Sequence, residues 1–189
     1  MYFFQHQDND LIFKSRSVEH AYLAILDNDL TSAGAVFESI DSPRSNWGVS
    51  LVQILNGFLE RFPTYFEIRN FLEIDLDFLI KNDKIDYVQQ VLGSLKILSD
   101  INQETYKYVA RVLYANRYYN ASKDYLEKSK NLLYHDPEMH FMFARFFLKD
   151  REYESAAYHI NECLKIIPDY FPAKKLKKEI EKYWSNPTL

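Results

Sequence analysis

The sequence predicts an all-α fold built from helical hairpins that repeat along the chain, and three observations carry that prediction. Glycine is scarce, at 4 of 189 residues, which leaves little material for the positive-φ turns of an all-β design. Apolar residues fall at helical spacing, as in Leu72, Leu76, Leu79 and Ile80 and then Leu92, Leu95 and Leu98, and no stretch sustains strand alternation. The C-terminal half also matches itself when displaced by 34 residues. Val109 then falls on Phe143, Ala110 on Ala144, Arg111 on Arg145, Leu113 on Phe147 and Tyr119 on Tyr153. Further on, Ser122 falls on Ala156, Leu126 on Ile160, Ser129 on Cys163 and Leu132 on Ile166. A fixed period of that length marks repeated supersecondary units.

Residues 1–16 read as an N-terminal arm, and Tyr2-Phe3-Phe4 as a short extended piece of it. A first hairpin spans about 17–40, where Ala21, Ala33 and Ile40 stand at intervals of 12 and 7. Ser42-Pro43 puts a capping residue before a proline and opens an extra helix over about 44–60. Thr64 with Glu67 forms a capping box after Pro63. The hairpin at 69–102 keeps the repeat spacing but carries Leu76, Val88 and Leu95 at the positions small residues hold elsewhere. Hairpins follow at 103–136 and 137–170, the second opened by Asp136-Pro137, and Asp83, Asn102 and Asp150 are expected as further N-caps. The last helix, 170–184, gathers Ala173, Leu176, Ile180 and Trp184 on one stripe, with Lys178 where close packing of another helix would need a small residue. Such a polar-faced helix suits the end of a repeat array. The expectation is about ten helices in a single domain, 17–184, with a tail at 185–189.

A 34-residue period with small residues at its eighth, twentieth and twenty-seventh positions resembles the tetratricopeptide repeat (TPR). The clearest copy runs from Pro137 to Tyr170. Ala144, Ala156 and Cys163 are its small residues, Phe147 and Tyr153 its aromatics and Pro168 its closing proline. The resemblance implies a right-handed superhelix of antiparallel helical hairpins, a TPR-like α-solenoid with a C-terminal capping helix. Small residues there let two helices approach closely while aromatics fill the gaps.

In proteins of that pattern the second, fifth, ninth, twelfth and thirteenth positions of each repeat face a concave groove. Here this implies a groove with Lys107, Arg111, Tyr114, Phe141, Arg145 and Lys149, to which the closing helix adds Lys175; Glu104, Ala115, Glu138 and Leu148 occupy the remaining positions. Cations beside aromatics suit an extended acidic segment or a C-terminal carboxylate. Some family members clamp a peptide carboxylate with Lys, Asn and Arg, but Arg111 and Arg145 stand where the asparagines would be. The function implied is non-enzymatic, an adaptor or chaperone-like scaffold that holds a protein or extended peptide. The alternative is a self-associating regulatory or accessory subunit of a separate enzyme, using the arm and the aromatic insert around Trp47, Phe58, Phe62, Tyr65 and Phe66.

Chemistry leaves little mark on the sequence. There is no Gly-x-Ser-x-Gly, no phosphate-binding loop and no dinucleotide fingerprint. No His-Glu-x-x-His pair exists, and in the group His135, Asp136, Glu138 and His140 the aspartate is better explained as a cap. Cys163 falls on a packing position, as a buried structural thiol would. On a helix Asp75 points away from Glu73, so the carboxylates Glu73, Asp75 and Asp77 read as a solvated face rather than an acid/base pair. Neither a metal nor a cofactor is expected.

Net charge is −4, with −7 in residues 1–100 and +3 in 101–189, too little positive charge for a nucleic-acid partner. The longest uncharged stretch, from Ser45 to Leu59, is too short to cross a bilayer. The first residues lack the basic start and apolar run of a secretory signal. A lone cysteine forms no internal disulfide, and a cytoplasmic location is expected.

Overall fold

Every regular element among the described residues, 18–132 and 135–185, is an α-helix in the computed structural model of the chain. The arm at 1–16, most of the tail and the Trp184 side chain lie outside the described residues. The chain divides into two units, the first ending at Thr105 and the second beginning at Tyr106.

The first unit contains α1 (18–26), α2 (Leu30–Glu38), α3 (Pro43–Leu55), α4 (Tyr65–Lys81), α5 (Ile85–Gly93) and α6 (Leu95–Ile101). Its helix starts are written in short polar side chains. Asp29 accepts from the Ser32 N–H, Ser42 accepts from Ser45 N–H ahead of Pro43, and Thr64 with Glu67 closes a full capping box. Ala21, Ile25, Ala33, Phe37, Trp47, Leu51, Ile68, Leu72, Leu76 and Leu79 form its buried interior. Gly48 lets α3 come against α2, because a Cβ there would run into the Phe37 ring.

Asp75 corrects an expectation. It is 1% exposed, not part of a solvated face. Its carboxylate accepts from Arg44 Nη2, Trp47 Nε1 and the Tyr22 hydroxyl at 3.1 Å, so it ties α1, α3 and α4 together. Burial pushes its carboxyl above the usual carboxylate range, against the pull of Arg44 and the other donors. The Arg44 guanidinium carbon lies 4.8 Å from the ring centroids of both Tyr22 and Phe71. Its Nη1 is buried without a hydrogen-bond partner, and the two ring faces supply the stabilisation that a hydrogen bond does not. Neighbouring Asp77 bonds Lys81 one turn along the same helix.

The second unit holds α7 (Thr105–Ala115, beginning at the boundary), α8 (Tyr119–Leu132), α9 (Pro137–Lys149), α10 (Tyr153–Ile166) and α11 (Phe171–Ser185). Ala110, Leu126, Met139, Met142, Phe143 and Phe146 pack between α7, α8 and α9. Ala144, Ala156, Ile160, Cys163, Ala173, Leu176 and Ile180 pack between α9, α10 and α11. The small residues of the sequence repeat, Ala110, Ser122, Ser129, Ala144, Ala156 and Cys163, are all fully buried. The Ser122 hydroxyl reaches across to donate to the Ala110 carbonyl at 2.6 Å, a distance that a larger side chain would not permit.

One turn geometry recurs. Asn28, Gly57, Asp83, Arg117 and Arg151 have positive φ, between 55° and 83°. Each follows a helix C-terminus, and the next residue's N–H bonds a carbonyl five residues back: Asp29 to Ala24, Phe58 to Gln53, Lys84 to Leu79, Tyr118 to Leu113 and Glu152 to Phe147. This is the left-handed helix stop usually given to glycine. Asp83, Arg117 and Arg151 are each 34 residues apart. The expectation that Asp83 and Asp150 cap helix N-termini is therefore overturned. Asp83 is the left-handed residue after α4 and Asp150 the C-cap of α9, while α5 and α10 begin without a side-chain cap. Asn102, expected as an N-cap, is the C-cap of α6, and its side chain accepts from the Glu104 N–H at 2.9 Å in the turn ahead of α7.

Candidate functional site

Two adjoining depressions in the second unit lie along α7 and α9. The first, of about 400 Å³, is lined by Arg111, Tyr114, Ala115, Arg117, Phe141, Arg145 and Tyr170, among others. The second, of about 540 Å³, is lined by Tyr114, Arg145, Lys149, Arg151, Tyr153, Glu179 and Tyr183, among others. Tyr114 and Arg145 line both and make them one groove. Helical spacing explains the assembly: Arg111 and Tyr114 share one face of α7, and Phe141, Arg145 and Lys149 recur every fourth residue along α9.

The predicted site residues meet different fates. Arg111, Tyr114, Phe141, Arg145 and Lys149 come together in the groove. Lys107 is 4% exposed, ion-paired with Asp136 and, at 3.4 Å, with Glu138. Glu138 also takes Arg111. Asp136 accepts from the N–H groups of Glu138 and Met139 at 2.8 and 3.0 Å. That helix start concentrates negative side chains beside α7, drawing its basic residues in. Lys175 lies apart, on the outer surface of α11 beside Phe171, Lys174 and Lys178.

Arg145 and Lys149 are exposed and have no carboxylate partner among the described residues. Arg145 sits 4.4 Å above the Tyr114 ring, and Lys149 sits over Tyr119. Cation–π contacts of this kind hold a charge in place without neutralising it. Tyr114 is itself fixed edge-on by Tyr119 and Phe146, at 5.3 and 5.1 Å between centroids. The sequence pattern did not single out Arg117 or Arg151 as groove residues. They reach the groove because they occupy left-handed turns, a conformation arginine's intrinsic preferences do not announce.

Burial, then the charge of Asp136, pushes the Cys163 thiol up to about 11, which leaves it protonated and unreactive. His140 and His159 are buried against each other, away from the groove residues of α9. Among the described residues no group of three or more His, Cys, Asp or Glu could hold a metal ion, and no helix is long and apolar enough to cross a membrane.

In the first unit, Trp47 of the aromatic insert is core, whereas Phe58, Phe62 and Phe66 are 49 to 67% exposed. Phe66 is on the first turn of α4, and the loop before it, which bears Phe58 and Phe62, is pinned. The Gln53 side-chain oxygen accepts from the Glu60 and Arg61 N–H groups at 3.0 and 2.8 Å, and Arg61 pairs with Glu67 through both terminal nitrogens. Comparison with protein-family models, curated proteins and solved structures finds no match to the chain.

Proposed function

We propose that the chain is a non-enzymatic, cytoplasmic helical-repeat module of the TPR-like α-solenoid kind, an adaptor or chaperone-like scaffold that holds a protein or extended peptide in the groove along α7 and α9. The observation that carries this reading is the groove itself, with two exposed cations held over tyrosine rings and not ion-paired to a carboxylate among the described residues. The 34-residue recurrence of the left-handed turns supports the repeat reading. An extended segment suits a shallow aromatic floor, whose side chains supply contact area at low entropic cost. Nucleic acid and membrane are not the partners this reading expects, because the groove cations are few and partly paired.

The test places a photo-crosslinking benzoylphenylalanine at Ala115, exposed in the groove, or at Lys178 on α11. Partner adducts are expected from position 115, and their loss with Arg145→Glu and Lys149→Glu added, helicity being checked by circular dichroism. Equal adducts from both positions would remove the groove from the reading.

The second reading is a self-associating regulatory or accessory subunit. Phe58, Phe62 and Phe66 favour it, since a pinned loop and the first turn of α4 together present three exposed aromatics as a ready contact surface. Sedimentation equilibrium then gives a dimer that Phe62→Ser with Phe66→Ser returns to monomer.

A further inference from the structure

The groove leaves one buried constellation without a role. The Nδ1 atoms of His140, on α9, and His159, on α10, are 2.9 Å apart, and the two residues are 1% and 6% exposed. One Nδ1 carries the hydrogen and the other offers its lone pair, so the neutral pair accounts for both atoms. The His159 ring stacks on Phe143 and Phe147, at 4.9 and 5.4 Å between centroids, and meets Tyr158 edge-on at 5.1 Å. This box lies in the packing between α9 and α10.

Charge is poorly tolerated there. One added proton keeps the N–H···N bond but places an imidazolium out of reach of water. A second gives both Nδ1 atoms hydrogens, breaks the bond and sets two like charges side by side. From α8, Lys130 lies 5.4 Å from the Phe143 ring centroid and Lys123 5.1 Å from that of Phe147. Both press positive charge on the box, though they are paired with Glu127 and Asp150. From α10, Glu162 favours a charged imidazole, but Lys165 already holds it.

We propose that the His140–His159 pair is an acid-sensitive latch on the α9–α10 hairpin, closed while both rings are neutral and released when they charge. The latch stands whether or not the groove binds a peptide. Burial, then His140 and Lys130, lower the His159 pKa to about 4 from an ordinary 6.5. The unfolded chain therefore binds more protons than the folded one between those values. Stability falls as pH drops from about 6.5 to about 4, and this group costs nothing further below that.

The experiment compares thermal unfolding of the full chain at pH 7.5 and pH 4.8, followed by circular dichroism, with that of the His140→Leu, His159→Phe double variant. Acidification should lower the wild-type midpoint by about 5–10 °C more than the variant's, since other acid-sensitive groups are common to both. An equal drop in the two proteins overturns the latch. Should the variant fail to fold, an imidazole ¹⁵N titration of the wild type decides alone. A midpoint below pH 5 for the His159 ring supports the latch, and titration near 6.5 in the folded state removes it.

Discussion

A buried carboxylate is tolerated in the first unit because every side of it is answered. Asp75 takes a guanidinium, an indole N–H and a phenol, and its partners come from helices that are not neighbours in sequence. Removing one side of such a pair leaves an uncompensated charge, at about 3–5 kcal/mol. Asp75→Ala should therefore lower the free energy of urea unfolding by that amount. Trp47→Phe, which withdraws one donor and leaves a small void where the indole's second ring was, should cost about 1–3 kcal/mol in the same measurement. If Asp75→Ala costs no more than Trp47→Phe, the charge of Arg44 is being met elsewhere.

Among the elements, close approach and chain reversal do the organising. Gly48 lies on α3 under the Phe37 ring, so Gly48→Ala forces one of the two helices to shift, at about 1–3 kcal/mol. At the end of α4 the argument reverses. Asp83 holds φ at 55°, a conformation that costs an L-residue about 1–2 kcal/mol, and glycine would recover part of it. Asp83→Gly should raise the urea midpoint slightly, a gain of up to about 1 kcal/mol after the extra freedom of the unfolded chain is deducted. A fall instead would mean that the aspartate side chain itself holds the turn.

At the scale of the whole molecule, the all-helical class was legible in apolar spacing and helix starts, and Ser42, Thr64 and Asp136 cap where the residues said they would. What escaped was pairing across helices. Periodicity places a side chain on a face and says nothing of what waits opposite. Asp75 thus read as solvated, Lys107 as a groove cation, and His140 as a neighbour of Asp136 rather than of His159. Two turn residues, Asp83 and Asp150, were misread for a related reason: an aspartate between two helices serves the end of one or the start of the next with the same composition. Tyr114 on α7 and Arg145 on α9 were expected from the positions they hold in the 34-residue repeat, whereas Arg151 depends on a backbone angle.

The indole of Trp47 has a consequence for optics. The chain holds two tryptophans, and Trp47 is fully buried with its N–H on a carboxylate. In a Trp184→Phe background its emission becomes a private signal of the first unit, while the imidazole resonances of His140 and His159 report on the second. Lowering the pH from 7 to 4 should then report the carboxylate beneath Trp47 through the fluorescence and the buried imidazole pair through its resonances, so that acid acting on each unit is read separately within a single sample.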